Sequence, residues 1–217
     1  MITSTTLGIW LMCFQDGQVR PVMFVFYTNL NNLVCWLLFL PLAIKTALDI
    51  KREGIHGTTV FMPHLKGAVT MMTAVTFIVF AVLLQPIMFS MTQGRSLDFQ
   101  FQLSNILLHY VTPVFVLFDW LLFDKKLQYR RFEPLLWLII PFIYLLFVLI
   151  RAEVGGEIAS IGSRYPYFFV DIDKLGLGGV ALWVLGFTLF FTALGYGLVA
   201  LDRIVRQDGK FRYIRRK

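Results

Sequence analysis

"VMFVFYTNLNNLVCWLLFLPLAIKTAL", residues 22–48, carries a single charge, Lys45. At 1.5 Å per residue a helix of that length crosses the roughly 30 Å of hydrocarbon in a bilayer. Yet Thr28, Asn29, Asn31 and Asn32 sit near its start, where lipid favours leucine. The run asks for a membrane helix, and its amides and hydroxyl ask for something inside the membrane to bind them.

Four more runs of this kind follow, at 67–91, 99–123, 134–150 and 179–201. The chain of 217 residues is 58% hydrophobic and only 15% charged, a balance foreign to soluble domains of this size. The runs are too long and too evenly apolar for the alternating strands of a barrel, and backbone groups in lipid must bond within their own segment. The predicted fold is an all-α polytopic transmembrane bundle forming one domain. It has five full-length spans and a short first one at 5–14, which lacks the basic leader and cleavage site of a signal peptide. That short helix either thins the bilayer or begins upstream of Met1.

Fifteen of the twenty basic residues fall on one side of the predicted spans: Lys45, Lys51, Arg52 and Lys66, then Lys125, Lys126, Arg130 and Arg131, then seven from Arg203 to Lys217. Arg20, Arg95, Arg151, Arg164 and Lys174 fall on the other. The positive-inside rule then predicts both termini in the cytoplasm and a long outer loop at 151–178. The net charge of +7 fits that rule and contact with anionic lipid better than nucleic-acid binding, for which no motif is present. Cys13 and Cys35 are isolated and define neither a metal site nor a disulfide framework.

On a helix, Thr28, Asn31 and Asn32 share one face. Gln102, Asn105, His109 and Thr112 step by three, four and three residues and form a polar stripe on the fourth span. Counting from the outer ends, Thr28 lies about 10 Å and His109 about 12 Å in, with Gln85 of the third span slightly shallower. An ionisable group in a span usually faces the bundle interior and lines a site, and a threonine level with it is a group it can activate. The plainer readings are that Thr28 bonds a carbonyl one turn back, that the asparagines tie helices together, and that His109 is a packing residue. No His or Cys stands at a spacing that would complete a metal site with His109, since His56 and His64 belong to the inner loop. Asp119 is about 15 Å along the helix from His109 and about 80° off its stripe, so it does not orient the ring; an interfacial structural role suits it. Ser104 is about 140° from His109 and competes poorly as a nucleophile. There is no G-x-S-x-G, no phosphate loop and no H-E-x-x-H. In the outer loop, Tyr165 to Phe169 reads either as a lid or as an interfacial anchor.

"FYTNLNNL" (26–33), "NILLHYVTPVFVLFDWLLF" (105–123) and "YPYFFVDID" (165–173), in that order, resemble the family of six-span membrane proteins that includes the androgen-induced and androgen-dependent TFPI-regulating proteins. The bacterial members carry the last two segments most plainly. The resemblance runs from the second span to the last, and the short first span departs from it. It implies a multi-pass protein of the bacterial plasma membrane. Animal members hydrolyse fatty acid esters of hydroxy fatty acids with a threonine nucleophile and a histidine, which by motif position are Thr28 and His109 here.

The predicted activity is therefore an intramembrane lipid ester hydrolase, a carboxylic ester hydrolase of the threonine type acting on an acyl-ester lipid. Thr28 is the nucleophile and His109 the general base. Asn31, Asn32, Asn105 and Gln85 are the candidate oxyanion or substrate contacts. Tyr165 and Tyr167 are candidates for a lid, and Asp171 for orienting His109; failing a carboxylate, Asn105 or a backbone carbonyl would hold the ring. No cofactor or metal is implied. The alternative is a membrane protein that binds or transports lipid without catalysis; transport is disfavoured because the polar layer is one-sided and no repeat is visible.

Overall fold

The computed structural model describes residues 1–15, 17–55, 59–91 and 99–205. His56, Arg95 and the basic tail from Arg206 onward, which enter the arguments above, lie outside the described residues. The chain runs through α1 (Ile2–Cys13), α2 (Tyr27–Glu53), α3 (Pro63–Val79), α4 (Gln85–Met91), α5 (Phe99–Ile106), α6 (Thr112–Phe123), α7 (Glu133–Trp137), α8 (Ile139–Val154) and α9 (Ile172–Ile204). A π-helical turn at Phe80–Leu84 joins α3 to α4, and another at Leu107–Val111 joins α5 to α6. Five helical stretches are long and apolar enough to cross a membrane: Tyr27–Glu53, Pro63–Ser90, Phe101–Phe123, Glu133–Val154 and Ile172–Ile204. With the shorter apolar α1, they make an all-α membrane bundle, and the only sheet among the described residues is a two-residue hairpin, Phe14–Gln15 against Gln18–Val19.

One boundary differs from the sequence reading. The second span does not begin at Val22: Pro21–Val25 forms a 3₁₀ turn and α2 starts at Tyr27. Proline holds the first turn tight, and Asn29 donates its side-chain amide to the Met23 carbonyl at 2.7 Å, which ties that turn off from the helix. Thr28 therefore lies in the first turn of α2 rather than deep within a span. A short helical turn precedes the last span from Ile172, where Asp171 accepts from the Lys174 N–H at 3.1 Å as an N-cap. Gly176 then breaks the helical path at φ 66°, ψ 171°, a conformation open essentially to glycine alone.

The third span is the centre of the bundle: every residue from Lys66 to Thr76 is buried, whereas α9 buries only Val180, Gly195, Leu198, Val199 and Asp202. Ala68, Met71 and Met72 of α3 pack with Trp120 of α6, Tyr129, Trp137 of α7 and Leu198 and Val199 of α9. Its buried threonines Thr70, Thr73 and Thr76 donate to carbonyls four residues back at 2.7–3.1 Å, so their hydroxyls cost little where water is absent. The outer faces present leucine and phenylalanine, for example Leu182, Leu185 and Leu189 of α9.

The described basic residues segregate to the two ends of the bundle. At the end shared by the α2–α3 loop and the loop after α6, Lys66 is buried and paired with both Asp119 and Asp124. Beside it a Cβ on Gly67 would lie 2.5 Å from the Tyr129 ring and 2.9 Å from Trp137. Those rings are stacked edge to face and locked in the core. Gly67→Ala is accordingly expected to destabilise the protein by about 1–3 kcal/mol, read as a lower Tm in detergent.

Candidate functional site

Both π-turns have the same cause. Each is followed two residues later by a proline, Pro86 after Leu84 and Pro113 after Val111. Proline has no N–H to give the carbonyl four residues back and its ring crowds that carbonyl, so the turn widens. The widened turns face each other, and they bring Phe80 of one onto His109 of the other, rings stacked with centroids 3.7 Å apart. In the second turn the Thr112 N–H bonds the Leu107 carbonyl and Pro113 offers no donor. The Leu108 carbonyl instead accepts from the Asn32 side chain of α2 at 3.2 Å. A proline on one helix and an asparagine on the next thereby fix the register between α2 and the His109 turn.

That register delivers the predicted pair. The Thr28 hydroxyl lies 3.1 Å from His109 Nε2. His109 Nδ1 lies 3.2 Å from the main-chain carbonyl of Asn105. A carbonyl only accepts, so the neutral ring carries its proton on Nδ1 and presents a lone pair at Nε2 to the Thr28 O–H. Both side chains are buried. The threonine is thus hydrogen-bonded to a base that is itself oriented by a third group, the arrangement that activates a hydroxyl.

Thr28 also lines a cavity of about 110 Å³. Its walls come from the end of α3 and the π-turn after it, from α8 and α9, and from the loop before α9, and they are dominated by Val, Leu and Phe. Tyr27, Thr28, Thr76, Tyr144, Tyr167 and Thr188 are the hydroxyl-bearing residues of the lining. Thr28 borders both this cavity and His109, so a molecule in the cavity meets the hydroxyl while the imidazole holds its proton. Apolar walls with a few polar groups are the usual form of a small-ligand site.

The outer loop supplies the roof and is tied down. Arg151 donates to the carbonyls of Gly156 at 2.7 Å and Arg164 at 2.9 Å, and Arg164 pairs with Asp173. From this frame the Tyr167 hydroxyl reaches the start of α2, where it accepts from the Tyr27 N–H at 3.0 Å. Burial pushes the Tyr167 phenol up to about 12, so it keeps its proton at neutral pH.

Several predicted site residues serve elsewhere. Gln85 is exposed and accepts from the Tyr110 hydroxyl, because the π-turn before it carries it off the line counted from the span's end. Asn31 points into α3, donating to Thr73 and Thr76 at 3.3 and 3.2 Å. Asn32 divides its donors between the Thr28 and Leu108 carbonyls. Asn105 takes part through its main-chain carbonyl. Asp171 caps α9 and binds Ser163 and Lys174, so it does not orient His109. Tyr165 packs in the cluster with Val148, Ala152 and Phe169 and is not on the cavity wall. Ser104 donates to the Phe101 carbonyl, and Asp119 pairs with Lys66.

Sequence reasoning missed Phe80, Tyr27 and Tyr144. The Q-P and T-P pairs at 85–86 and 112–113 were the available signal for the two π-turns and hence for Phe80. Nothing comparable announces Tyr144, whose hydroxyl donates to the Val25 carbonyl at 2.9 Å. Among the described residues no cluster of three or more His, Cys, Asp or Glu side chains is placed to hold a metal ion. Comparison of the chain with protein-family models, with curated proteins and with solved structures returned no match.

Proposed function

We propose that this protein is an intramembrane lipid ester hydrolase in which Thr28 is the nucleophile and His109 the general base. Its substrates are fatty acyl esters such as fatty acid esters of hydroxy fatty acids, and its family is the six-span one that its 26–33, 105–123 and 165–173 segments resemble. The observation that carries the reading is the relay from Thr28 through His109 to the Asn105 carbonyl, at 3.1 and 3.2 Å, beside an apolar cavity. In the reaction the Thr28 oxygen bonds to the ester carbonyl carbon as its proton passes to His109 Nε2. The tetrahedral intermediate then expels the alcohol, which takes that proton, and leaves an acyl-threonine. Water, deprotonated by the same nitrogen, hydrolyses the acyl group and restores Thr28. The basic end of the bundle faces the cytoplasm in this proposal, with both termini there, and the membrane is the bacterial plasma membrane.

The test is purified protein in detergent with acyl esters of graded chain length and a fluorophosphonate probe. Turnover, with probe mass on the peptide that contains Thr28, is the expected result. Saturable lipid binding without turnover or labelling would favour the non-catalytic reading, and labelling that maps to another residue would remove Thr28 from the role.

The π-turn offers a second check. Pro113→Ala restores an N–H that the His109 carbonyl can accept, and α-helical pairing then competes with the wider turn. His109 shifts against Thr28, and a displacement of about 1 Å at a reacting pair costs on the order of 10²-fold. The expected outcome is that kcat falls while the far-ultraviolet helical signal stays or rises.

A further inference from the structure

We propose that the Tyr167 hydroxyl is the hydrogen-bond donor to the oxyanion formed when Thr28 attacks an ester. The inference rests on the hydrolase reading of Thr28 and His109 and adds to it the group that reading lacks. The asparagines first in line for the task are committed: Asn31 to the α3 threonines and Asn32 to two carbonyls.

An inventory of protons on the cavity wall leads to Tyr167. Thr76 donates to the Met72 carbonyl, Thr188 to Val184 and Tyr144 to Val25, at 2.7–3.1 Å. Thr28 donates to His109 Nε2. Tyr27 turns its ring toward the cluster around Trp120 and Trp137. The Tyr167 oxygen, by contrast, is held as an acceptor by the Tyr27 N–H at 3.0 Å, which leaves its own proton to be given. Tyr167 meets α2 at the residue before Thr28, and Tyr167 and Thr28 both line the cavity.

At rest the relay runs from Thr28 through His109 to the Asn105 carbonyl, with the Tyr167 oxygen held beside it on the Tyr27 N–H. When the Thr28 oxygen bonds to the carbonyl carbon, the carbonyl π electrons move to oxygen, which comes to lie little more than 2 Å from the Thr28 oxygen. The negative charge then becomes the acceptor of the Tyr167 O–H, and it returns as a carbonyl when the alcohol leaves. The donor is positioned before the reaction, by a ring stacked on Phe169 at 5.0 Å and set edge-on to Phe26 at 5.9 Å. Fixed donors of this kind act most strongly where water is excluded.

The test is Tyr167→Phe, which keeps the ring and removes the O–H, assayed on matched oxo- and thionoesters with Tm in detergent as the folding control. Loss of one such donor lowers kcat by about 10²–10³-fold on the oxoester, with KM little changed. The thionoester falls much less, because sulfur accepts hydrogen bonds poorly. Unchanged kcat, or an equal fall on both esters, overturns the assignment. If Tyr167→Phe does not fold, 3-fluorotyrosine at 167 retains the hydroxyl with altered acidity; a shift in the oxo-to-thiono rate ratio supports the donor and an unshifted ratio overturns it. Should Thr28→Ala and His109→Ala abolish turnover while Tyr167→Phe does not slow it, only the donor falls. Should the wild-type protein neither cleave esters nor label at Thr28, the hydrolase reading falls and the donor with it.

Discussion

Thr28→Ala is expected to lower ester turnover by about 10⁴-fold or more and to abolish labelling by an acylating or phosphonylating probe. The alanine removes the only atom of residue 28 that can bond to the acyl carbon. It leaves in place the Tyr27 N–H bond to Tyr167 and the Asn32 bonds to the Thr28 and Leu108 carbonyls. The α2 start is therefore retained, and the loss is one of chemistry rather than of fold. His109→Ala should match it within about tenfold, since a nucleophile and the base that activates it act as a unit and their losses do not add. Thr28→Ser keeps the hydroxyl but frees its χ1 rotation, and it should retain measurable activity. Parallel Tm values for the three variants, with turnover only in Thr28→Ser, are the result that supports the proposed roles. Full turnover in Thr28→Ala would end them.

The largest expected effect on stability belongs to a residue far from this chemistry. Lys66 is buried between Asp119 and Asp124 at the opposite end of the bundle. Its aliphatic stem also lies near Phe39, with the ammonium 5.4 Å from the ring centre. Lys66→Met keeps most of the packing and strands two carboxylates, which costs about 3–5 kcal/mol. Part of that returns if a carboxyl takes up a proton, and burial already raises the Asp124 carboxyl above its ordinary value. The triple variant Lys66→Met, Asp119→Asn, Asp124→Asn should accordingly recover much of the lost Tm. If Lys66→Met alone melts like the wild type, the three charges are not coupled as the structure arranges them.

The membrane helices were legible because lipid imposes a simple requirement: about 20 apolar residues with every backbone group bonded internally. Residues 67–91 and 99–123 satisfy it without help from neighbours and were located to within a few residues. Boundaries failed where a short polar or glycine contact decides them. The Asn29 bond to Met23 moves the start of α2 to Tyr27, and the Asp171 cap adds a short turn ahead of the Gly176 break that precedes the last span. Thr28 and His109 were paired by depth and helical face, which follow from 1.5 Å and 100° per residue. Gln85 was misplaced by the same count, because a π-turn adds a residue that the count does not carry.

Apolar runs and one polar stripe per helix are local properties, so the residues themselves determined the all-α membrane bundle and the helical faces that carry Thr28 and His109. Which groups meet across those faces was decided only by packing. Asn31 and Asn32 share a helical face with Thr28, yet they reach threonine side chains of α3 and a main-chain carbonyl of the His109 turn. Tyr167 and Tyr144 come from a loop and a helix more than a hundred residues away and converge on the start of α2. A hydrogen bond needs atoms within about 3 Å, and such distances between separate helices arise from proline-widened turns and close-packed rings that no single segment encodes.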